Sequence, residues 1–132
     1  MAQWYVKELS ELTQVSVQTL HYYDKVGLLK PSLRHDNGYR IYSEGDLLRL
    51  QKIIALKSFC FELAQIKQLL SENTDVIDHL VQQSCLLKEK TKYFQEANIN
   101  LDAVIKSVNG YESSQPHLLW GVILKTADIG LT

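Results

Sequence analysis

Apolar residues recur at helical spacing from the start of the chain. Val6, Leu9 and Leu12 share one side of a short helix expected over 6–12. Thr13-Gln14 is a polar break, and Ser16 is a good N-cap for a second helix over 17–25. Leu20 and Tyr23 lie on its inner face together with Val15, and Gly27 ends it as a left-handed residue. Two short helices joined this closely have the form of a helix-turn-helix. Pro31 stops any helix in the next stretch. Asp36-Asn37-Gly38 is a strong turn signal between Leu33-Arg34 and the alternating run Tyr39-Arg40-Ile41-Tyr42, so a small β-hairpin, a wing, is expected there. Ser43 and Asp46 then form a capping box with Asp in the usual Glu position. A third helix over 44–58 turns Leu47, Leu50 and Ile54 to the core, with Leu48 at the margin. After a break at 59–61, a fourth helix over 62–71 carries Leu63, Ile66, Leu69 and Leu70.

The most regular pattern comes next. Leu80, Leu87, Phe94, Leu101 and Val108 follow one another at seven-residue intervals, and all are apolar. The companion heptad position reads Ile77, Ser84, Thr91, Asn98 and Ile105, apolar only at its ends. This is a coiled coil with a polar middle. A helix over 77–108 is a rod of roughly 48 Å. Folding back on its own domain is one way to cover its stripe; a homodimer is the preferred one. Ile77, Leu80, Leu87, Phe94, Asn98, Leu101, Ile105 and Val108 are the candidate dimerisation residues, with Asn98 fixing register at a cost in stability. Asn109-Gly110 ends the rod, 112–116 reads as a linker, and 117–132 is an apolar tail containing Trp120. That tail either packs on the dimer helices, is the stub of a shortened or truncated effector domain, or touches a membrane or another protein.

Composition narrows the function. The chain has 132 residues, 45% of them hydrophobic, which excludes a wholly disordered protein. Its longest apolar run, Leu118 to Leu124, is too short to span a bilayer, and the N-terminus lacks the apolar core of a secretory signal. No membrane association is expected. Cys60 and Cys85 have no framework spacing, which suits free thiols in the cytoplasm. No nucleophile–base spacing, phosphate loop or metal cluster is readable, so neither an enzyme nor a bound metal or cofactor is expected. The net charge of −1 conceals an asymmetry. Residues 1–57 hold eight bases and six acids, including all three arginines, while 58–132 hold six bases and nine acids. Arginine suits planar contact with phosphate and bases.

In a helix-turn-helix the start of the second helix enters the DNA major groove. The outward positions there are Ser16, Val17, Gln18 and His21, with Tyr22 beside them. Gln18 can read adenine through two hydrogen bonds, and Ser16 with the helix-terminal amides suits a phosphate oxygen. In the wing, Arg34, Tyr39, Arg40 and Tyr42 bring cations and phenolic donors onto one ribbon. Tyr23 is assigned to the core, and His21 with Asp24 reads as a surface pair.

The run from Val15 through Thr19-Leu20-His21-Tyr22-Tyr23-Asp24 to Gly27-Leu28-Leu29 resembles the MerR family of transcriptional regulators. Pro31-Ser32, Asn37-Gly38-Tyr39-Arg40-Ile41-Tyr42 and Asp46-Leu47-Leu48-Arg49-Leu50 extend the likeness. The Thr19–Asp24 segment is most similar to the TipA/Mta-like branch. The resemblance implies a mainly α fold: a winged helix-turn-helix DNA-binding domain over 3–72 and a dimerisation helix over 75–109 that forms an antiparallel coiled coil. A short C-terminal stretch over 110–132 follows. It also implies binding to promoter DNA at a pseudo-palindromic site, whose overlong spacer is bent and untwisted so that RNA polymerase engages it. Carried over by position, the family's DNA contacts fall on Gln18, His21, Arg34, Tyr39, Arg40, Tyr42 and Lys57. Many members have Arg where this chain has His21, and Gly where it has Gln14 and Cys60. The branch's better-known members answer to drug-like molecules, so a small-molecule effector of unknown identity enters the expectation. A coiled-coil interaction adaptor and an excisionase-like architectural factor are the competing readings.

Overall fold

A computed structural model describes residues 2–71, 74–109 and 116–126. The chain divides into two compact units, Met1–His79 and Leu80–Thr132. The first opens with a strand β1 (Gln3–Tyr5) and the helices α1 (Val6–Thr13) and α2 (Val17–Lys25). The hairpin strands β2 (Leu33–Arg34) and β3 (Arg40–Ser43) follow, then α3 (Glu44–Ser58) and α4 (Leu63–Leu69). The expected helix-turn-helix and hairpin are therefore present. β1 is an addition: it pairs antiparallel with β3, Trp4 opposite Tyr42, and makes the sheet order β1-β3-β2. Its three residues alternate without burying a side chain fully, so no apolar pattern announces it.

Local chemistry explains where each element starts and stops. Ser16 Oγ accepts the Thr19 amide at 3.0 Å, the expected N-cap of α2. Gly27 follows that helix at φ +78°. Lys67 Nζ donates to the Val26 carbonyl at 3.3 Å, placing a cation at the C-cap of α2, and Arg49 Nε donates to the Leu28 carbonyl at 2.8 Å in the loop that follows. The Ser43–Asp46 box forms, and it does more than cap α3. Asp46 Oδ2 accepts the Ser43 amide at 2.9 Å, the Ser32 amide at 2.9 Å and the Ser32 hydroxyl at 2.7 Å, so it also anchors the chain entering the hairpin. Gln14 and Cys60 both take left-handed backbone, at φ 63° and 67°, a conformation that favours glycine.

The core gathers Leu9, Leu20, Tyr23, Leu28, Leu29, Tyr42, Leu50, Ile53, Phe61, Ile66 and Leu69. Three expectations are corrected. Ile54, Leu48 and Leu12 are exposed. Helical spacing allowed either Leu50–Ile54 or Leu50–Ile53 as the inner stripe of α3, and packing against β3 and α4 selects the second. On α1, Leu9 is the buried position and Leu12 lies outside the contact.

The second unit carries nearly all of α5 (Val76–Val108), which matches the expected rod. Of its heptad residues, Ile77, Phe94, Leu101 and Ile105 are exposed, and Leu80, Leu87 and Val108 are half-buried. Asn98 is exposed too. The apolar tail is in part a helix, α6 (Pro116–Thr126), which leaves Leu118, Trp120 and Leu124 exposed. Pro116 was expected in the linker and instead opens this helix, a position where its missing N–H is tolerated. The rest of that linker, 112–115, and the tail beyond Thr126 lie outside the described residues. No helix of the described residues is long and apolar enough to cross a membrane.

Candidate nucleic-acid interface

The outer face of α2 presents Gln18, His21 and Tyr22, all exposed, with Val17 half-buried at its start. Lys57, in the last turn of α3, joins Gln18, His21 and Tyr22 around one open depression, with Thr19, Tyr23, Lys25 and Leu63 completing its lining. Residues far apart in sequence thus share a single concave surface. Ser16 has a prior commitment: besides capping α2, its hydroxyl donates to Thr19 Oγ1 at 2.8 Å.

The wing is tied directly to α2. Asp24 Oδ2 receives Arg34 Nη2 at 2.6 Å and Arg40 Nε at 2.7 Å. Asp24 is buried, so the surface pairing with His21 does not hold. Burial alone would raise its carboxyl pKa. The hydrogen bonds from Arg40 and Arg34, with their charges, outweigh that and hold it below 3.8. The Arg34 side chain remains 47% exposed and that of Arg40 28%, so both keep solvent-facing surface while bonded. Asp24 is the principal residue that sequence reasoning missed. A signal existed, since Asp24 stands four residues after Leu20 and therefore shares its inner face.

At the hairpin tip, the Asp36-Asn37-Gly38 turn forms as expected, with Gly38 at φ +87° and its amide on the His35 carbonyl at 2.8 Å. Tyr39 is 64% exposed and meets the ring of Tyr5 edge-on, centroids 6.4 Å apart. Tyr5 Oη lies 3.1 Å from His35 Nε2. Tyr39 is therefore presented outward on an aromatic support that includes β1.

Tyr42 requires a correction. It was expected as a donor on the ribbon's surface, yet it is fully buried, and its hydroxyl has no hydrogen-bond partner among the described residues. β3 alternates, so Tyr42 faces the opposite side from Ile41 and enters the core. Burial pushes its pKa above 10.0, and the nearby negative charge of Asp24 adds to this. Tyr23 is in the core as expected.

The model of the MerR HTH family regulatory proteins matches residues 5–73. The chain is 40% identical over 109 residues to the HTH-type transcriptional activator mta of Bacillus subtilis, covering 82% of this chain and 42% of that protein. It therefore spans about two fifths of that relative's length. Among solved structures, a MerR family transcriptional regulator from Bacillus cereus superposes with TM-score 0.82 at 26% identity, covering 94% of this chain and 96% of that one. The N-terminal part of the Bacillus subtilis multidrug transporter activator, MtaN, gives 0.70 at 40% identity, covering 75% and 94%.

Proposed function

This chain belongs to the MerR family of DNA-binding transcriptional regulators, and from that premise we propose that it acts as a homodimer on a pseudo-palindromic promoter site. Its relatives are transcription regulators, not enzymes. One observation carries the proposal: Arg34 and Arg40 of the wing are bonded to the same helix that displays Gln18, His21 and Tyr22. A recognition helix and a cationic ribbon held in one frame suit a major groove and its flanking phosphates.

In this reading Gln18 and His21 meet base edges or phosphates in the groove, and Tyr22, Tyr39, Arg34, Arg40 and Lys57 meet the backbone. Val17 packs at the groove edge, and the Ser16 cap orients the helix terminus. Two copies joined through α5 as an antiparallel coiled coil would set two such faces at a fixed separation. The exposed Phe94, Leu101 and Ile105 support this, because a lone helix gains nothing by presenting them to water. Bending and untwisting of the promoter spacer then allows RNA polymerase to engage, with regulation read as DNA deformation. The protein would work in the cytoplasm, with the dimerisation helix at 75–109 and the DNA-binding domain at 3–72.

The test begins by selecting bound duplexes from genomic fragments and footprinting the strongest. Two protected half-sites related by a dyad are expected, and Arg40→Ala should weaken both halves together by about tenfold or more. Protection of one half-site only would reject the dimeric reading. Specific binding that survives Arg34→Ala and Arg40→Ala combined would reject the wing's role.

A further inference from the structure

Arg34 and Arg40 are register partners on neighbouring antiparallel strands. Two like charges set opposite each other in a hairpin repel, and without a counter-charge the two side chains would splay apart. The counter-charge here comes from outside the hairpin. Asp24, 7% exposed on α2, places a single oxygen between them, 2.6 Å from Arg34 Nη2 and 2.7 Å from Arg40 Nε. Each guanidinium has five N–H donors, so each keeps most of them for another anion. The burial of Asp24 prevents it from touching DNA itself.

We propose that Asp24 is a positioning residue for DNA recognition, whose buried carboxylate fixes both wing guanidiniums relative to the recognition helix. Phosphate contacts by the wing and base contacts by α2 are then set in one register. This inference rests on the reading that Arg34 and Arg40 meet DNA. It separates two quantities that a simple charge argument would merge. Asp24 lowers the positive charge of the face, so it weakens general attraction to DNA. It also orders the cations, so it strengthens the preference for one sequence over another.

The full chain as Asp24→Asn is the test, with fluorescent duplexes carrying either the selected site or random sequence, titrated across a range of salt. Binding to random DNA should be at least as tight as for the parent, with a salt slope steeper by up to about one. The preference for the selected site should fall by about tenfold or more. A variant that keeps both the parent's slope and its preference overturns the proposal. So does a folded variant that loses affinity for both duplexes in equal proportion, since that is the mark of a merely structural role. A second measurement needs no variant. The Arg40 Nε–H resonance of the parent should exchange slowly with water, both free and on DNA; exchange as fast as that of an unbonded arginine overturns the proposal. Arg34→Ala and Arg40→Ala separate the two failures. If they bind like the parent, the wing reading is at fault. If they lose affinity while Asp24→Asn behaves as the parent does, only the role of Asp24 is.

Discussion

Tyr42 and the three arginines carry the chemistry of the first unit in ways their residue types do not announce. A tyrosine beside a turn, next to an arginine, is a good candidate for a phosphate donor. Here its hydroxyl sits in the core without a hydrogen-bond partner among the described residues. An unsatisfied buried hydroxyl is a burden, so Tyr42→Phe should leave stability unchanged or raise it by up to about 1 kcal/mol in urea unfolding. Its DNA affinity should equal the parent's. A tenfold loss of affinity in a fully folded Tyr42→Phe protein would return the hydroxyl to the interface. The arginines show the converse. Arg34 and Arg40 are candidates for DNA on charge and place, yet all three arginines have a protein acceptor: Asp24 for Arg34 and Arg40, the Leu28 carbonyl for Arg49. Only the first two combine that bond with a place in the wing.

At the scale of elements, caps and breaks decide the architecture. Cys60 lies at the end of α3 with φ 67°, its amide on the Lys57 carbonyl at 2.9 Å. A side chain in left-handed backbone crowds the following carbonyl. Cys60→Gly should therefore raise stability by about 0.5–1 kcal/mol, read as a higher urea midpoint at unchanged slope. Cys60→Val, branched at Cβ, should lower it. The opposite order would mean that the thiol makes a contact worth more than the relief of strain. The same elements show how much was legible. Ser16, Gly27, the Asp36-Asn37-Gly38 turn and the Ser43–Asp46 box act within a few residues of chain, and all formed as the pattern indicated. β1 was not legible, because a three-residue edge strand is defined by its partner β3 and not by its own alternation.

Over the whole molecule, the apolar face of α5 is the largest feature that calls for cover by a partner. Phe94 and Leu101 are 64% and 57% exposed, and both lie on the heptad stripe. In the proposed dimer, replacing both with Asp should convert a particle of twice 15.2 kDa into one of 15.2 kDa in sedimentation. Helix content and the fold of the first unit should persist, while binding to a two-half site weakens at least about a hundredfold through loss of linked half-site binding. A double variant that still sediments as a dimer would place the interface elsewhere.

The sequence by itself determined what is local or periodic: helices α1 to α5, the Ser16 and Ser43 caps, the hairpin turn, the heptad stripe, and the outward positions of Gln18, His21 and Tyr22 on α2. These follow from backbone preferences and from spacings of 3.6 and 7 residues, which need no knowledge of distant neighbours. The tertiary structure alone decided which of two allowed stripes of α3 went inward, that Tyr42 left the surface, and that Asp24 met Arg34 and Arg40. Each of those outcomes depends on residues ten or more positions apart arriving at one point. There the burial of a charge is tolerable only if opposite charges arrive with it. Periodicity could place Asp24 on an inner face; only packing could bring it the two guanidiniums that keep it charged.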